Sequence, residues 1–594
     1  MTTLQNERAP VTGDFPLPLD MYPEDTVLVN DLRANGEPPV LSPTTGIYFA
    51  NSELGDRARP VYTLSELVEL EEHLEVHGTI EIPFRQGSVI VDGVERGVLL
   101  VAATDTATNH GDMSANLYLR DQVQAARAMM ELTIHYPERY REQGQTAAVL
   151  LTSALHLMST PTQLQRLENV IEKGSKREKT TQADWPNILM DFNDLSASNP
   201  NGWRNKQDTL QMLAYAALDA LEYGVLAVDD LAEAHKQFLG SVVPFLAAVG
   251  YPRYENCGSW EEVPAVRTSV MAIETALLHK IGVIAGGADA AEYAFLEAGY
   301  QNAISSHPGL LSEPAASFQE VVLSMEHAGL AEISRRLPHE SPDTEYDSVT
   351  SPQYREADAA LAYLLMYGIP QLIAETTFTD ATAQDTAREE IETAILEQLL
   401  TLMDNETNGM SRYQGDAYQR SGYYTKAVQD RVDWIKKLIL AEAEVHGGEP
   451  DYARKQHLRN LYVPEGRTAT WVHPLGQISA WAAKRALSLR ATHPDSLDEV
   501  GGHKADKFHE LSTRLLNFML STITGNQMHP VLNGDGSYHA KRVPSWRLPE
   551  SIVSYDGVMV PSPNTPLNWG AATLAEALGM LITYADRTAQ GRAT

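Results

Sequence analysis

Leu210-Gln211-Met212-Leu213-Ala214-Tyr215-Ala216-Ala217-Leu218-Asp219-Ala220-Leu221 sets Leu210, Leu213, Ala217 and Leu221 at three- and four-residue spacing. That is the repeat of a helix with one apolar face. Val263, Val266, Val270 and Ile273 repeat the pattern. From about residue 115 onward it recurs, predicting further helices roughly at 120–136, 143–159, 228–249, 288–304, 316–336, 355–368, 383–404, 423–446, 471–492, 504–524 and 568–588. Long connections around 160–205, 338–354, 405–422 and 525–567 separate them. Loops of that length in a compact domain usually carry function. About a dozen helices in one run fit either an open solenoid or a closed toroid of alternating inner and outer helices. No TPR, HEAT or ankyrin period recurs, which favours the closed toroid.

Residues 1–110 read differently. Gly46-Ile47-Tyr48-Phe49-Ala50 and Gly87-Ser88-Val89-Ile90-Val91 are short β-prone runs, and Gly93 and Gly97 punctuate a hairpin before Val98-Leu99-Leu100-Val101. The expected division is a β-rich N-terminal region, 1–110, and a helical domain, 111–594.

The 594 residues hold 46 Lys+Arg against 79 Asp+Glu, a formal charge of −33, with 43% hydrophobic residues. Such a chain has ample material for a core and is neither disordered nor collagen-like. A surface this acidic repels phosphate backbones and anionic lipid, so neither nucleic acid nor a membrane surface is an expected partner. Cys257 stands alone, so no intramolecular disulfide forms, and no Cys/His cluster has zinc-ligand spacing. Met1–Pro23 lacks the basic start and apolar run of a secretory signal, and no stretch of about 18 uninterrupted apolar residues occurs. The cytoplasm is the expected location, and oligomeric state is not readable.

Signatures of P-loop nucleotide binding, Rossmann dinucleotide binding, H-E-x-x-H zinc proteases and G-x-S-x-G hydrolases are absent. What remains is a set of loop-borne carboxylates and aromatics. Gly258-Ser259-Trp260-Glu261-Glu262-Val263 reads as a capping box, with Ser259 as N-cap and Glu262 three residues on. The alternative reading is a pocket in which Trp260 keeps a neighbouring glutamate protonated. Leu548-Pro549-Glu550-Ser551 offers a second loop glutamate. Two carboxyl groups facing each other across a sugar are the machinery of glycoside hydrolysis. Tyr118-Leu119-Arg120-Asp121 is either an ordinary acidic helix start or a set of donors and acceptors for sugar hydroxyls beside a stacking aromatic. Gly409-Met410-Ser411-Arg412-Tyr413-Gln414-Gly415-Asp416-Ala417-Tyr418 is a glycine- and aromatic-rich interhelical loop.

In this order, and across residues 110–590, these segments resemble glycoside hydrolase family 15, the glucoamylases, and the related α and β regulatory subunits of phosphorylase kinase. Trp260-Glu261-Glu262-Val263 is similar to the family's W-E-E-V segment, Pro549-Glu550 to its late glutamate segment and Tyr118-x-Arg120-Asp121 to its aromatic-x-R-D motif. The Arg412 loop resembles R-Y-x-x-D-x-Y, and Pro566-Leu567-Asn568-Trp569 resembles the closing L-[ST]-W helix start. The family's W-x-x-x-Q-x-D loop appears as Trp203-Arg204-Asn205-Lys206-Gln207-Asp208, one residue short between Gln and Asp, and Gly258-Ser259 replaces the usual acidic and aliphatic pair.

The resemblance implies a mainly α fold, an (α/α)6 toroid with a small N-terminal β-rich element. It implies exo-acting, inverting hydrolysis of an α-glucoside or α-glucan, with water as second substrate and no metal or organic cofactor. Glu261 is then the general acid and Glu550 the general base. Tyr118, Arg120, Asp121, Trp203, Asp208, Trp260, Glu262, Arg412 and Trp569 are the implied substrate-binding residues. The alternatives are a non-catalytic glucan-binding protein like the phosphorylase kinase subunits, a phosphate-dependent disaccharide phosphorylase, and a purely structural helical scaffold.

Overall fold

A computed structural model describes residues 23–101, 116–174, 184–191, 195, 208–260, 264–310, 317–342, 354–404, 406–414, 416, 426–446, 458–459, 468–492, 499–532, 538–555, 558–562 and 565–591. Six helices form a closed inner ring: Leu119–His135, Asp208–Glu222, Thr268–Gly286, the short Ala362–Met366, His473–Thr492 and Asn568–Ala589. Each packs on the next in chain order, and the sixth returns to pack on the first. Outside them lie Leu64–Val76, Arg141–Met158, Phe318–Arg336, Ala381–Leu400 and Glu499–Thr522, each against an inner helix. This is the α/α toroid expected from the helical periodicity.

Buried ion pairs stitch the ring. Arg127 of the first inner helix donates from Nη1 and Nη2 to both carboxylate oxygens of Glu576 on the sixth, at 3.2 and 2.6 Å. Lys484 of the fifth reaches Glu131 at 3.1 Å and Glu576 at 3.7 Å. Lys280 of the third pairs with Asp219 of the second at 2.6 Å. Thr268–Gly286 is long and apolar enough to cross a membrane, but here 67% of that stretch is buried in the fold. A helix packed on several sides needs apolar residues nearly all round.

The expected N-terminal hairpin is present. Phe84–Val91 pairs with Val94–Val101, and Asp92 and Gly93 take φ of 51° and 72° at the turn. Left-handed φ at both central residues is the two-residue turn that matches strand twist. The same region also holds Leu64–Val76, a helix closed by a capping box between Thr63 and Glu66, which packs on the sixth inner helix.

Several expected helices are shorter or broken. The 228–249 segment splits into Glu233–Gly240 and Val242–Val249. The 355–368 segment shrinks to Ala362–Met366 after one 3₁₀ turn, then restarts as Ile369–Thr377 beyond Gly368, whose φ is 68°. The loops expected at 160–205 and 525–567 contain order: helix Pro161–Lys173, opened by its proline, and the strands Met528–Leu532, Tyr538–Arg542, Ser551–Tyr555 and Val558–Pro561.

Candidate active site

All six inner helices begin at one end of the ring, and the singled-out segments sit at or just before those starts. Arg120 and Asp121 open the first helix and Asp208 opens the second. Trp260 precedes the third and Asp358 the fourth, while Trp471 and His473 open the fifth and Trp569 the sixth. Helix N-termini carry partial positive charge, which suits the carboxylates of Asp121 and Asp208.

The segments are tied to one another by specific contacts. Arg120 Nη1 donates to the Ser259 carbonyl at 2.6 Å, and Nη2 donates to Asp208 Oδ1 at 3.3 Å. Arg120 thus joins the first helix start, the second and the Trp260 segment in one buried cluster. The Trp260 indole N–H donates to Asp358 Oδ1 at 2.6 Å. Asp358 also accepts from the Ala360 backbone N–H at 2.8 Å and from Arg355 Nη1 at 2.9 Å.

Arg412 is clamped by Asp416, with Nε donating to Oδ2 at 2.6 Å and Nη2 to Oδ1 at 2.8 Å. Its guanidinium lies 5.7 Å from the ring centres of both Trp260 and Trp471. Backbone exchange between Met410 and Trp471, at 2.9 and 2.7 Å, fastens the Arg412 loop to the fifth helix start.

Glu550 is buried immediately before the strand Ser551–Tyr555. Ser551 lies opposite Trp471 and Ile552 opposite Thr470 in the antiparallel register. The Trp471 ring is 5.8 Å from the Trp260 ring. The Leu567 backbone N–H donates to the Leu548 carbonyl at 2.9 Å, carrying the connection to Trp569. His473 stacks on Trp569 at 3.9 Å with 28° between planes, and lies 5.9 Å from Trp260. Burial, reinforced by Arg120, pushes the His473 pKa down to about 3, so its imidazole is a neutral ring in this wall.

Tyr118, Arg120, Asp121, Asp208, Trp260, Arg412, Glu550 and Trp569 therefore occupy one end of the toroid. Tyr118 sits in a strand, paired with Leu189, that leads into the first helix. Glu261, Glu262 and Trp203 lie outside the described residues. Ser259 is no N-cap, because the helix that follows begins only at Thr268; Val266 lies before that start, and Val263 lies outside the described residues. Instead Gly258, with φ 62°, makes the turn that presents Ser259 and Trp260, its N–H held by Asn256 Oδ1 at 3.0 Å. Glycine, lacking a Cβ, takes that conformation at no steric cost. The sequence reading missed Asp358, Trp471 and His473, and quoted Asp416 in the Arg412 loop without giving it a role. A Trp and a His at a helix start, Thr470-Trp471-Val472-His473-Pro474, were the available signal.

A separate cavity lined by Glu71, Met129, Leu132, Tyr140 and Ala572 offers no comparable set. Glu71 there is committed to Arg139 and to the Tyr140 hydroxyl, which donates at 2.8 Å.

No family model matches the chain, and no curated protein matches it. Among solved structures it is similar to a wild-type glycosidase at 12% identity, covering 87% of this chain and 97% of that one, with a TM-score of 0.47. It is also similar to a glucoamylase from Saccharomycopsis fibuligera at 14% identity, covering 88% and 96%, with a TM-score of 0.46. A glucoamylase from Hormoconis resinae is 10% identical over 89% of this chain and 74% of that one, with a TM-score of 0.44.

Proposed function

We propose that the chain hydrolyses terminal α-glucosidic bonds by inversion, releasing glucose from the non-reducing end of an α-glucan, oligosaccharide or small α-glucoside. Glu261, which follows Trp260 in sequence, protonates the glycosidic oxygen. Glu550 removes a proton from water on the opposite face of the sugar. Arg120, Asp121 and Arg412 hold the hydroxyls, and Trp203, Trp260 and Trp569 supply apolar walls for the ring.

The observation that carries this reading is the register of Ser551 on Trp471 together with the 5.8 Å contact between Trp471 and Trp260. Glu550 directly precedes Ser551, and in sequence Glu261 directly follows Trp260, 289 positions earlier (550 − 261). Inversion requires carboxyl groups about 6.5–9.5 Å apart, leaving room for a water.

The test is a panel of α-linked disaccharides assayed for glucose release, with the product anomer read by NMR. Glu261→Gln and Glu550→Gln, checked for folding by circular dichroism, should each lose about 10²- to 10⁴-fold in turnover, the ordinary worth of a positioned acid or base. Inverted anomer from the wild type, independent of phosphate, is expected. Retained configuration, phosphate dependence, or wild-type turnover in either variant overturns the assignment.

A further inference from the structure

We propose that Glu53, His73 and His77 form a binding site for a divalent transition metal of the zinc class, joining two N-terminal helices to the segment that leads to Glu550. His73 lies in the last turn of the outer helix Leu64–Val76, and His77 is its C-terminal cap, still in right-handed helical conformation. Residues four apart on a helix share a face, so both imidazoles point the same way. Glu53 comes from the separate short helix Ser52–Arg57. One ligand atom from each residue can be chosen so that all three lie within 4.8 Å of one another, and Glu53 Oε2 stands 3.9 Å from His73 Nε2.

Two nitrogens and an oxygen held about 2.0–2.2 Å from a tetrahedral ion sit about 3.3–3.5 Å apart. The Glu53 side chain, 64% exposed, can close that difference by rotation. The fourth position falls to water.

Three further observations point the same way. His73 Nε2 is shielded from solvent and makes no hydrogen bond among the described residues, an unmet need that a metal would satisfy. The His77 ring is fixed by stacking on Trp546 at 3.9 Å with 10° between planes, and its carbonyl accepts from Arg547 Nη1 at 2.8 Å. Trp546 itself has φ 63°, a left-handed conformation unusual for so large a side chain and of the kind that persists where surrounding structure enforces it. A metal here would fasten Ser52–Arg57 to Leu64–Val76 and, through His77 and Trp546, to the chain four residues before Glu550.

The full-length protein, stripped by dialysis against a chelator, should take up a single equivalent of Zn²⁺ in competition with a chromophoric chelator. Its thermal midpoint should rise on zinc addition. The solvent-exposed change Glu53→Gln should weaken binding by about tenfold or more, since even residues that only orient a metal's ligands are worth 10- to 100-fold. His73→Gln and His77→Gln should each abolish the thermal shift, and Co²⁺ should give the visible absorption of a tetrahedral nitrogen–oxygen site in the wild type alone. Absence of zinc uptake by the wild type, or equal uptake and equal thermal shift in all three variants, overturns the proposal. Glucose release plays no part in the readout.

Discussion

The Trp260 indole N–H is held by Asp358 Oδ1 at 2.6 Å, and the same carboxylate is held by Arg355 and by the backbone of Ala360. Asp358 thereby sets the orientation of Trp260, the residue that precedes Glu261 in sequence.

Replacing Asp358 therefore tests positioning. Asp358→Asn keeps an oxygen for the indole and for Ala360, and should retain most of the wild-type kcat. Asp358→Ala removes both and takes from buried Arg355 its carboxylate partner. Displacing a catalytic group by about an ångström can cost on the order of 10²-fold. We expect kcat to fall by about 10- to 100-fold in the alanine variant with KM changed less, accompanied by a shift in tryptophan emission. Equal kcat in the two variants would show that Asp358 does not position Trp260.

Arg412 and Asp416 are both buried, with Asp416 at 0% exposure, and meet through two parallel hydrogen bonds. Removing one member of such a pair leaves a buried charge uncompensated, which costs about 3–5 kcal/mol. Asp416→Ala should lose stability of that order in urea unfolding. Arg412→Lys should also destabilise, because an ammonium cannot reproduce a planar fork to a carboxylate. A loss below about 1 kcal/mol in Asp416→Ala, the scale of an exposed pair, would contradict the clamp.

Two buried groups give opposite pH dependences. Burial pushes the Glu274 pKa up to about 8, with Tyr254 donating to its carboxylate. Between the ordinary 4.5 and 8 the folded state binds more protons than the unfolded, so stability falls as pH rises through that window. His473 is pushed down from 6.5 to about 3, so between those values the unfolded state binds more protons and stability falls as pH drops. Glu274→Gln should flatten the decline toward pH 8 in thermal unfolding, and His473→Gln should flatten the acid limb below pH 6.5. If both variants keep the wild-type slopes, these groups do not govern the profile.

How much of this was legible in the sequence depends on whether a signal was local. The inner helices announced themselves as apolar runs that include three- and four-residue spacing, as at Leu210, Leu213, Ala217 and Leu221, although burial of Asp208–Glu222 on nearly every side makes its other positions apolar too. Helix Leu64–Val76 is capped by Thr63 and Glu66 yet charged along much of its length, since an outer helix buries only a stripe, and the N-terminal region was read for its β-prone runs instead. The break at Gly368 was visible only as a glycine, because whether a helix runs on through a glycine depends on what packs beside it. The strand Ser551–Tyr555 pairs locally with Val558–Pro561, but its second pairing, with Thr470-Trp471 about 80 residues away, leaves no periodicity in either piece. The same applies to Asp358 and His473: each is a single residue whose importance comes from a neighbour brought by ring closure.

Ring closure itself can be tested at Gly579 on the sixth inner helix. A Cβ there would stand 2.4 Å from Leu132 Cδ2 and 2.9 Å from the Tyr140 hydroxyl oxygen. In an open helix, Gly→Ala gains about 1 kcal/mol from backbone entropy and propensity. Here the side chain of the first inner helix blocks that gain, and forcing an extra methyl into a filled interface costs about 1–3 kcal/mol. Gly579→Ala should therefore lower the unfolding midpoint, whereas Gly97→Ala, which meets nothing within 4 Å, should leave it nearly unchanged. A stabilised Gly579→Ala would mean that the first and sixth helices do not meet as closely as the closed toroid requires.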